Sequence, residues 1–207
     1  MTIAVVGAGA GIGRETVALA LARGHHVLAL SPSASTLADH PRLTKVSGSA
    51  TNPGDLQKAM QFADVLLITV GTKAKKGTTL FSDIAKALIA VAQETGYHNP
   101  ILIITGFGAG DSERYLGWFM KAVIHLFLKD QYQDKTRMEE LITRSQLNWE
   151  IIRPGILTNQ ADARPYQLFP ALRRGMKVGR ISRKAVATYL IDEAERRDYL
   201  GQQVTLT

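Results

Sequence analysis

An α/β fold with a doubly wound parallel sheet is predicted by three features of this sequence. Short apolar runs of strand length recur along the chain, at 3–6, 25–30, 43–46, 64–71, 101–105 and 149–155. Segments with helical apolar spacing separate them, the alternation that yields parallel strands with helices on both faces. The first strand runs directly into four glycines, in Val5-Val6-Gly7-Ala8-Gly9-Ala10-Gly11-Ile12-Gly13-Arg14-Glu15. A chain of 207 residues with 45% hydrophobic composition suits one such domain over residues 1–207.

The glycine turn carries the chemistry. Glycine permits positive φ and lets the backbone approach a ligand closely. The helix predicted over 11–24 leaves the amides of its first turn unpaired, and its macrodipole puts roughly half a positive charge there. A pyrophosphate satisfies both demands. Gly7, Gly11 and Gly13 satisfy G-x-x-x-G-x-G, whereas Ile12 and Arg14 stand where the strict G-x-G-x-x-G needs its last glycine. Gly9, Ala10 and Ile12 complete the predicted phosphate cradle.

Composition narrows the partners. Lys and Arg number 25 against 18 Asp and Glu, a net charge of +7 without a long basic block. That favours small anionic ligands over a dedicated nucleic-acid surface. The absence of cysteine excludes disulfides, thiolate catalysis and thiolate metal sites. His25 and His26 are neighbours on a predicted strand and point to opposite faces, so no metal site is expected. The first residues lack a basic leader and belong to the first strand, which predicts a cytoplasmic protein. The most apolar stretch, 115–128, falls short of the roughly 20 residues that span a bilayer and carries Lys121 and His125, so no membrane span is expected.

Along the chain, the second strand ends in Ser31-Pro32-Ser33-Ala34-Ser35. A carboxylate here would bond a ribose 2′-hydroxyl and repel a 2′-phosphate. Hydroxyls accommodate the phosphate, so Ser31 and Ser33 favour NADP over NAD. The third strand, 43–46, leads to Ser49 and Ala50, and Asn52-Pro53-Gly54-Asp55 opens a helix with its own cap. The fourth strand must end beside the glycine turn, which places Val70, Gly71 and Thr72 along a cofactor. Lys73, Lys75 and Lys76 then form either a solvated loop or an electropositive rim. A helix over 80–96 has apolar spacing at Leu80, Ile84, Leu88, Val91 and Ala92. The fifth strand ends at Thr105 in the flexible Gly106-Phe107-Gly108-Ala109-Gly110. The stretch 115–128, with Trp118, Phe119, Leu126 and Phe127, is expected to pack in the core; a subunit interface or an apolar wall for a flat substrate is the alternative. A helix over 131–144 precedes the sixth strand, and a seventh strand is predicted at 203–206.

Val6-Gly7-Ala8-Gly9-Ala10-Gly11-Ile12-Gly13-Arg14 resembles the cofactor turn of the short-chain dehydrogenase/reductase superfamily. Asp134-Lys135-Thr136-Arg137-Met138-Glu139-Glu140-Leu141, with Ser145-Gln146-Leu147-Asn148-Trp149-Glu150-Ile151-Ile152-Arg153-Pro154-Gly155, is similar to its atypical branch, the biliverdin-IXβ/flavin reductases and NmrA-like proteins. Gly71-Thr72-Lys73 and Ile181-Ser182-Arg183-Lys184-Ala185-Val186-Ala187 extend the likeness over essentially the whole chain. The resemblance implies a Rossmann-type sheet in the order 3-2-1-4-5-6 and cofactor contacts that include Ser49, Ala50, Thr105, Lys135, Pro154 and Gly155. Ordinary members use a Tyr four residues before a Lys, with a Ser or Thr on the preceding strand. Here Lys135 is present, Gln131 replaces the Tyr, Tyr132 stands one position late, and Thr105 takes the place of the Ser. The catalytic candidates are therefore Thr105, Lys135 and Tyr132. The atypical branch lacks the Tyr-Lys pair.

These readings converge on an NADP(H)-dependent reductase acting on a flat conjugated acceptor, a flavin, quinone or tetrapyrrole that is anionic and aromatic, as a monomer or homodimer. The alternative from another class is an NmrA-like sensor that binds NADP without catalysis. Epimerase or dehydratase chemistry usually needs the absent Tyr.

Overall fold

The computed structural model describes residues 1–74, 76–160, 166–173, 175–176 and 178–207. Lys75, one of the three loop lysines, lies outside the described residues.

The first strand, β1 (Thr2–Val6), feeds α1 (Gly11–Ala22), which returns the chain to β2 (His26–Leu30). Next come β3 (Leu43–Val46), α2 (Pro53–Met60), β4 (Val65–Ile68), α3 (Leu80–Thr95) and β5 (Ile101–Ile104). The chain then forms α4 (Trp118–Val123), a π turn, α5 (Lys129–Thr143) and β6 (Trp149–Pro154). After β7 (Ile156–Thr158), β8 (Leu168–Phe169) and β9 (Arg180–Ser182), it ends with α6 (Arg183–Arg196) and β10 (Gln203–Leu206). The main sheet runs β3-β2-β1-β4-β5-β6-β10-β8. The predicted six-strand order is present, and β10 extends it in parallel beside β6. Sequence reasoning missed β8, the one antiparallel strand of this sheet among the described residues, and the small parallel pair β7-β9.

Alternation along the strands explains the layers. Ile3 and Val5 of β1, with Leu67, Leu102 and Ile152, face α1 and α6. Ala4 and Val6, with Leu66, Ile68 and Ile103, face α2, α3 and α5. Every residue of β4 and β5 is buried, as a strand covered on both faces requires. Gly13 fixes how closely α1 approaches: a Cβ there would meet the Gly7 carbonyl and stand 2.6 Å from Thr69 Oγ1. Thr69 Oγ1 in turn donates to the Val6 carbonyl at 2.9 Å, tying the exits of β1 and β4 together.

Helix ends follow local chemistry in two cases and distant chemistry in a third. Asn52 Oδ1 accepts from the Asp55 amide at 3.0 Å to open α2 ahead of Pro53. Ser182 Oγ accepts from the Ala185 amide at 3.0 Å to open α6. The start of α3 is instead capped by Asp134 of α5, which accepts from the amides of Phe81 (2.8 Å) and Ser82 (3.2 Å).

Core packing was the expectation for 115–128, and the structure corrects it. Of α4 and the following π turn, only Ile124 is buried; Trp118 is 83% exposed, Phe119 63%, Leu126 71% and Phe127 61%. The reason lies in layering. On that face the sheet is already covered by α3 and α5, and the segment's main packing partner outside itself is α5.

Candidate functional site

The parallel strands end together at one edge of the sheet, and β1 is the point from which the chain winds both ways, to β2 on one side and to β4 on the other. A crevice forms at such a reversal, beyond the carboxyl ends of the strands. Here it is a cleft of about 580 Å³. Its floor is the glycine turn, through Gly7, Ala10, Gly11 and Ile12. Gly7 has φ +91°, and a Cβ on it would lie 2.9 Å from the backbone of Thr69 and Val70, so only glycine lets the exit of β1 cross that of β4. Among the described residues no side chain caps α1, and no acidic residue stands in its first turn. The positive end of the helix is thus left open to the cleft.

Around that floor the predicted contacts come together. Ser31 and Ser33 line the cleft from the end of β2, Ser49 and Ala50 from the end of β3, and Val70, Gly71 and Thr72 from the end of β4. The Ser33 amide donates to Ser31 Oγ at 3.2 Å, and the two hydroxyls stand 3.3 Å apart. Asp55 Oδ2 holds the Ser49 amide at 3.0 Å, shaping the β3 exit. Lys73 lines the cleft as well, on a loop anchored by Gln131 Nε2 donating to the Ala74 carbonyl and by the Gly77 amide donating to Asp130.

Four predicted contacts lie apart from the lining. The hydrogen face of Gly9 is turned to Ser31 and Ser33, and that of Gly13 to the Gly7 carbonyl. Both glycines serve close packing around the turn. Gly155 faces the Gly179 carbonyl ahead of β9, and Pro154 is a buried end of β6 whose carbonyl accepts from the Phe107 amide at 2.9 Å. The exposed residues of α4 are outside the lining too.

At the far end of the cleft stand Thr105 and Lys135. Lys135 Nζ donates to the Thr105 carbonyl at 2.7 Å and lies 5.1 Å from the Phe81 ring centre and 5.2 Å from that of Tyr132. Burial pushes its ammonium down to about 8, with the Glu139 carboxylate opposing that fall. The Thr105 hydroxyl donates to Glu139 Oε1 at 2.6 Å. Glu139 also receives two bonds from the buried Arg153, whose Nη1 reaches Asp111 at 2.7 Å. Thr105 Oγ1 therefore has its proton committed to a buried ionic network. Tyr132 lines a separate cavity of about 250 Å³ with Gly108, Leu116 and Ile124, and burial raises its phenol above the ordinary value. Of the three catalytic candidates, the cleft holds Thr105 and Lys135.

Arg183, the first residue of α6, lines the cleft beside Gly11, with Nε 3.6 Å from the position of a Cβ there. Its Nη1 donates to Asn159 Oδ1 at 2.7 Å. No spacing rule links Arg183 to the glycine turn, since the two meet only through the return of α6 onto α1. Ile104, Leu80 and Leu157 add apolar wall to the cleft.

Against families of known proteins, residues 7–197 match the NAD(P)H-binding family. The chain belongs to that family. A search of curated proteins finds no match. Among solved structures, this NAD(P)H-binding chain is similar to ChuY, an anaerobilin reductase from Escherichia coli O157:H7, with 25% identity, TM-score 0.81, and coverage of 100% of this chain and 96% of that one. A short-chain dehydrogenase/reductase (wide type) from Veillonella parvula DSM 2008, in complex with NADP, gives TM-score 0.84 at 20% identity, covering 99% and 93%. The oxidoreductase ylbE from Lactococcus lactis gives 0.83 at 17%, covering 100% and 90%. The fold is common to all of them.

Proposed function

We propose that this protein is an NADP(H)-dependent reductase that delivers hydride to a flat conjugated acceptor of the flavin, quinone or tetrapyrrole type. The observation that carries the reading is the single cleft joining an uncapped helix start at Ala10 to the enclosed ammonium of Lys135. The amide end of α1 would hold a dinucleotide's diphosphate, Ser31 and Ser33 its adenosine, and Lys135 its nicotinamide ribose. Bound NADPH supplies the hydride. The protein's part is to orient the ring: Lys135 offers N–H donors to the ribose hydroxyls, while Ile104, Leu80 and Leu157 wall off water.

At this end the Thr105 hydroxyl gives its proton to Glu139, and Tyr132, whose hydroxyl approaches Gly106 beside Lys135 Nζ, lines the other cavity. An acceptor whose reduced form takes its proton from water suits such a site, and flavins and linear tetrapyrroles have that chemistry. The likeness to an anaerobilin reductase supports the tetrapyrrole class, and the NADP complex of a similar structure supports the cofactor. Lys73 and the net charge of +7 favour an anionic acceptor. We place the protein in the cytoplasm, as one domain.

The committed Thr105 hydroxyl also favours the second reading, a sensor that binds NADP and reduces nothing. Steady-state NADPH oxidation with FMN, a quinone and biliverdin in turn separates the two. Turnover with any of them supports the reductase; tight NADP binding with no turnover supports the sensor.

A further inference from the structure

We infer that Arg14 is the cation that reads the 2′-phosphate of NADP, reaching the serine loop from the opposite side of the glycine turn. The inference rests on the reading of the cleft as a dinucleotide site. The loop after β2 has hydroxyls at Ser31 and Ser33 but no cation of its own between 31 and 37. Two neutral hydroxyls leave most of a phosphate's charge unbalanced. The cation comes instead from α1. Arg14 is exposed, follows directly on the cradle residues, and its Nη2 donates to Thr36 Oγ1 at 3.3 Å. Thr36 Oγ1 passes its own proton to the Ser33 carbonyl at 2.8 Å, so the guanidinium rests against the same short turn that presents Ser33 to the cleft.

Two further facts fit an anion there. Among the described residues Arg14 pairs with no carboxylate, and the nearest acid downstream on the loop, Asp39, is engaged by Lys45 at 2.5 Å. The bond to Thr36 is long and exposed, so a phosphate that takes the guanidinium in its place gives up little. Arg183, over Gly11, stands by the expected diphosphate, which NAD and NADP share. The two arginines therefore divide the work: Arg14 discriminates between cofactors, and Arg183 does not.

The test is calorimetric titration of NADP⁺ and NAD⁺ into the wild-type protein, Arg14→Ala, Arg14→Lys and Arg183→Ala, with thermal melts to verify folding. The expected result is a fall of tenfold or more in NADP⁺ affinity for Arg14→Ala, partial recovery in Arg14→Lys, and NAD⁺ affinity changed by less than about twofold, given the strength of charge-assisted bonds. Arg183→Ala should weaken both cofactors alike. Equal losses of NADP⁺ and NAD⁺ in Arg14→Ala, or no loss of either, overturns the assignment of Arg14 while leaving the cleft as the dinucleotide site. A wild-type protein that binds neither cofactor overturns that site and Arg14's role together.

Discussion

Lys135 donates from Nζ to the backbone carbonyl of Thr105 at 2.7 Å, while the Thr105 hydroxyl faces away to Glu139 at 2.6 Å. One residue thus anchors the ammonium at the cleft and has no side-chain proton left for a substrate. Lys135→Met should therefore lower turnover about tenfold to a hundredfold through loss of ring orientation. Tyr132→Phe, on the neighbouring cavity, should change it by less than about threefold, the loss of general-acid help being normally larger. Steady-state kinetics with NADPH and FMN decides, and a larger effect in Tyr132→Phe assigns the acid to Tyr132.

The same lysine sets a pH dependence. Burial lowers its folded pKa from 10.5 to about 8, so it is cationic at neutral pH and loses its charge as pH rises through about 8. Affinity for the anionic cofactor should fall across that step, and the step should vanish in Lys135→Met. The unfolded chain keeps the proton up to about 10.5, so the destabilisation from burying this cation is relieved between about pH 8 and 10.5. Titrations and melts across this range measure both signs.

At the opposite edge of the sheet from the cleft, Glu150 is wholly buried; Tyr189 donates to its Oε1 at 2.5 Å, and its Oε2 has no partner among the described residues. Burial raises its carboxyl to about 8, so the group is neutral in the folded protein at pH 7 and ionised in the unfolded chain. The folded state then holds the extra proton between about 4.5 and 8, and stability declines as pH rises through that window. Glu150→Gln should flatten the decline in melts recorded from about pH 5 to 9. An unchanged slope contradicts a neutral Glu150.

Asp134 caps α3 from α5, holding two buried amides. Asp134→Ala should destabilise the fold by about 1–3 kcal/mol, since the amides lose their acceptor in an apolar setting. Asp134→Asn, which keeps one acceptor oxygen, should cost less. Urea denaturation of both variants gives the comparison.

The order of the first six strands followed from the family resemblance, whereas the sequence itself showed that β4 and β5, apolar throughout, are covered on both faces. The edge strands were not legible. Two or three residues, as in β7, β8 and β9, carry no periodic signal, and their pairing depends on where β6 and β10 already lie. The segment 115–128 misled because apolar composition reports what a helix could bury and not whether a face is still open. Most predicted cleft contacts are local consequences of strand ends at the switch point, which is why they could be read. The packing roles of Gly13 and Gly9 were not legible, because Gly13 meets Thr69 at the exit of β4 as well as the Gly7 carbonyl of its own turn, and Gly9 meets the serine pair at the end of β2. Arg14 and Arg183 were hidden for the same reason: one meets a loop 22 residues away, and the other reaches the turn from the far end of the chain.

The most direct measurement is titration of NADP⁺ into the wild-type protein and Ala10→Glu. Ala10 is exposed, precedes the first residue of α1 and lines the cleft floor, so a glutamate fits there without disturbing the core and sets a carboxylate against the expected diphosphate. Binding by the wild type and a loss of roughly a hundredfold in Ala10→Glu, with the melting transition unchanged, is the predicted result, a change of about 2.7 kcal/mol. Equal affinities in the two proteins would contradict a diphosphate site at the glycine turn.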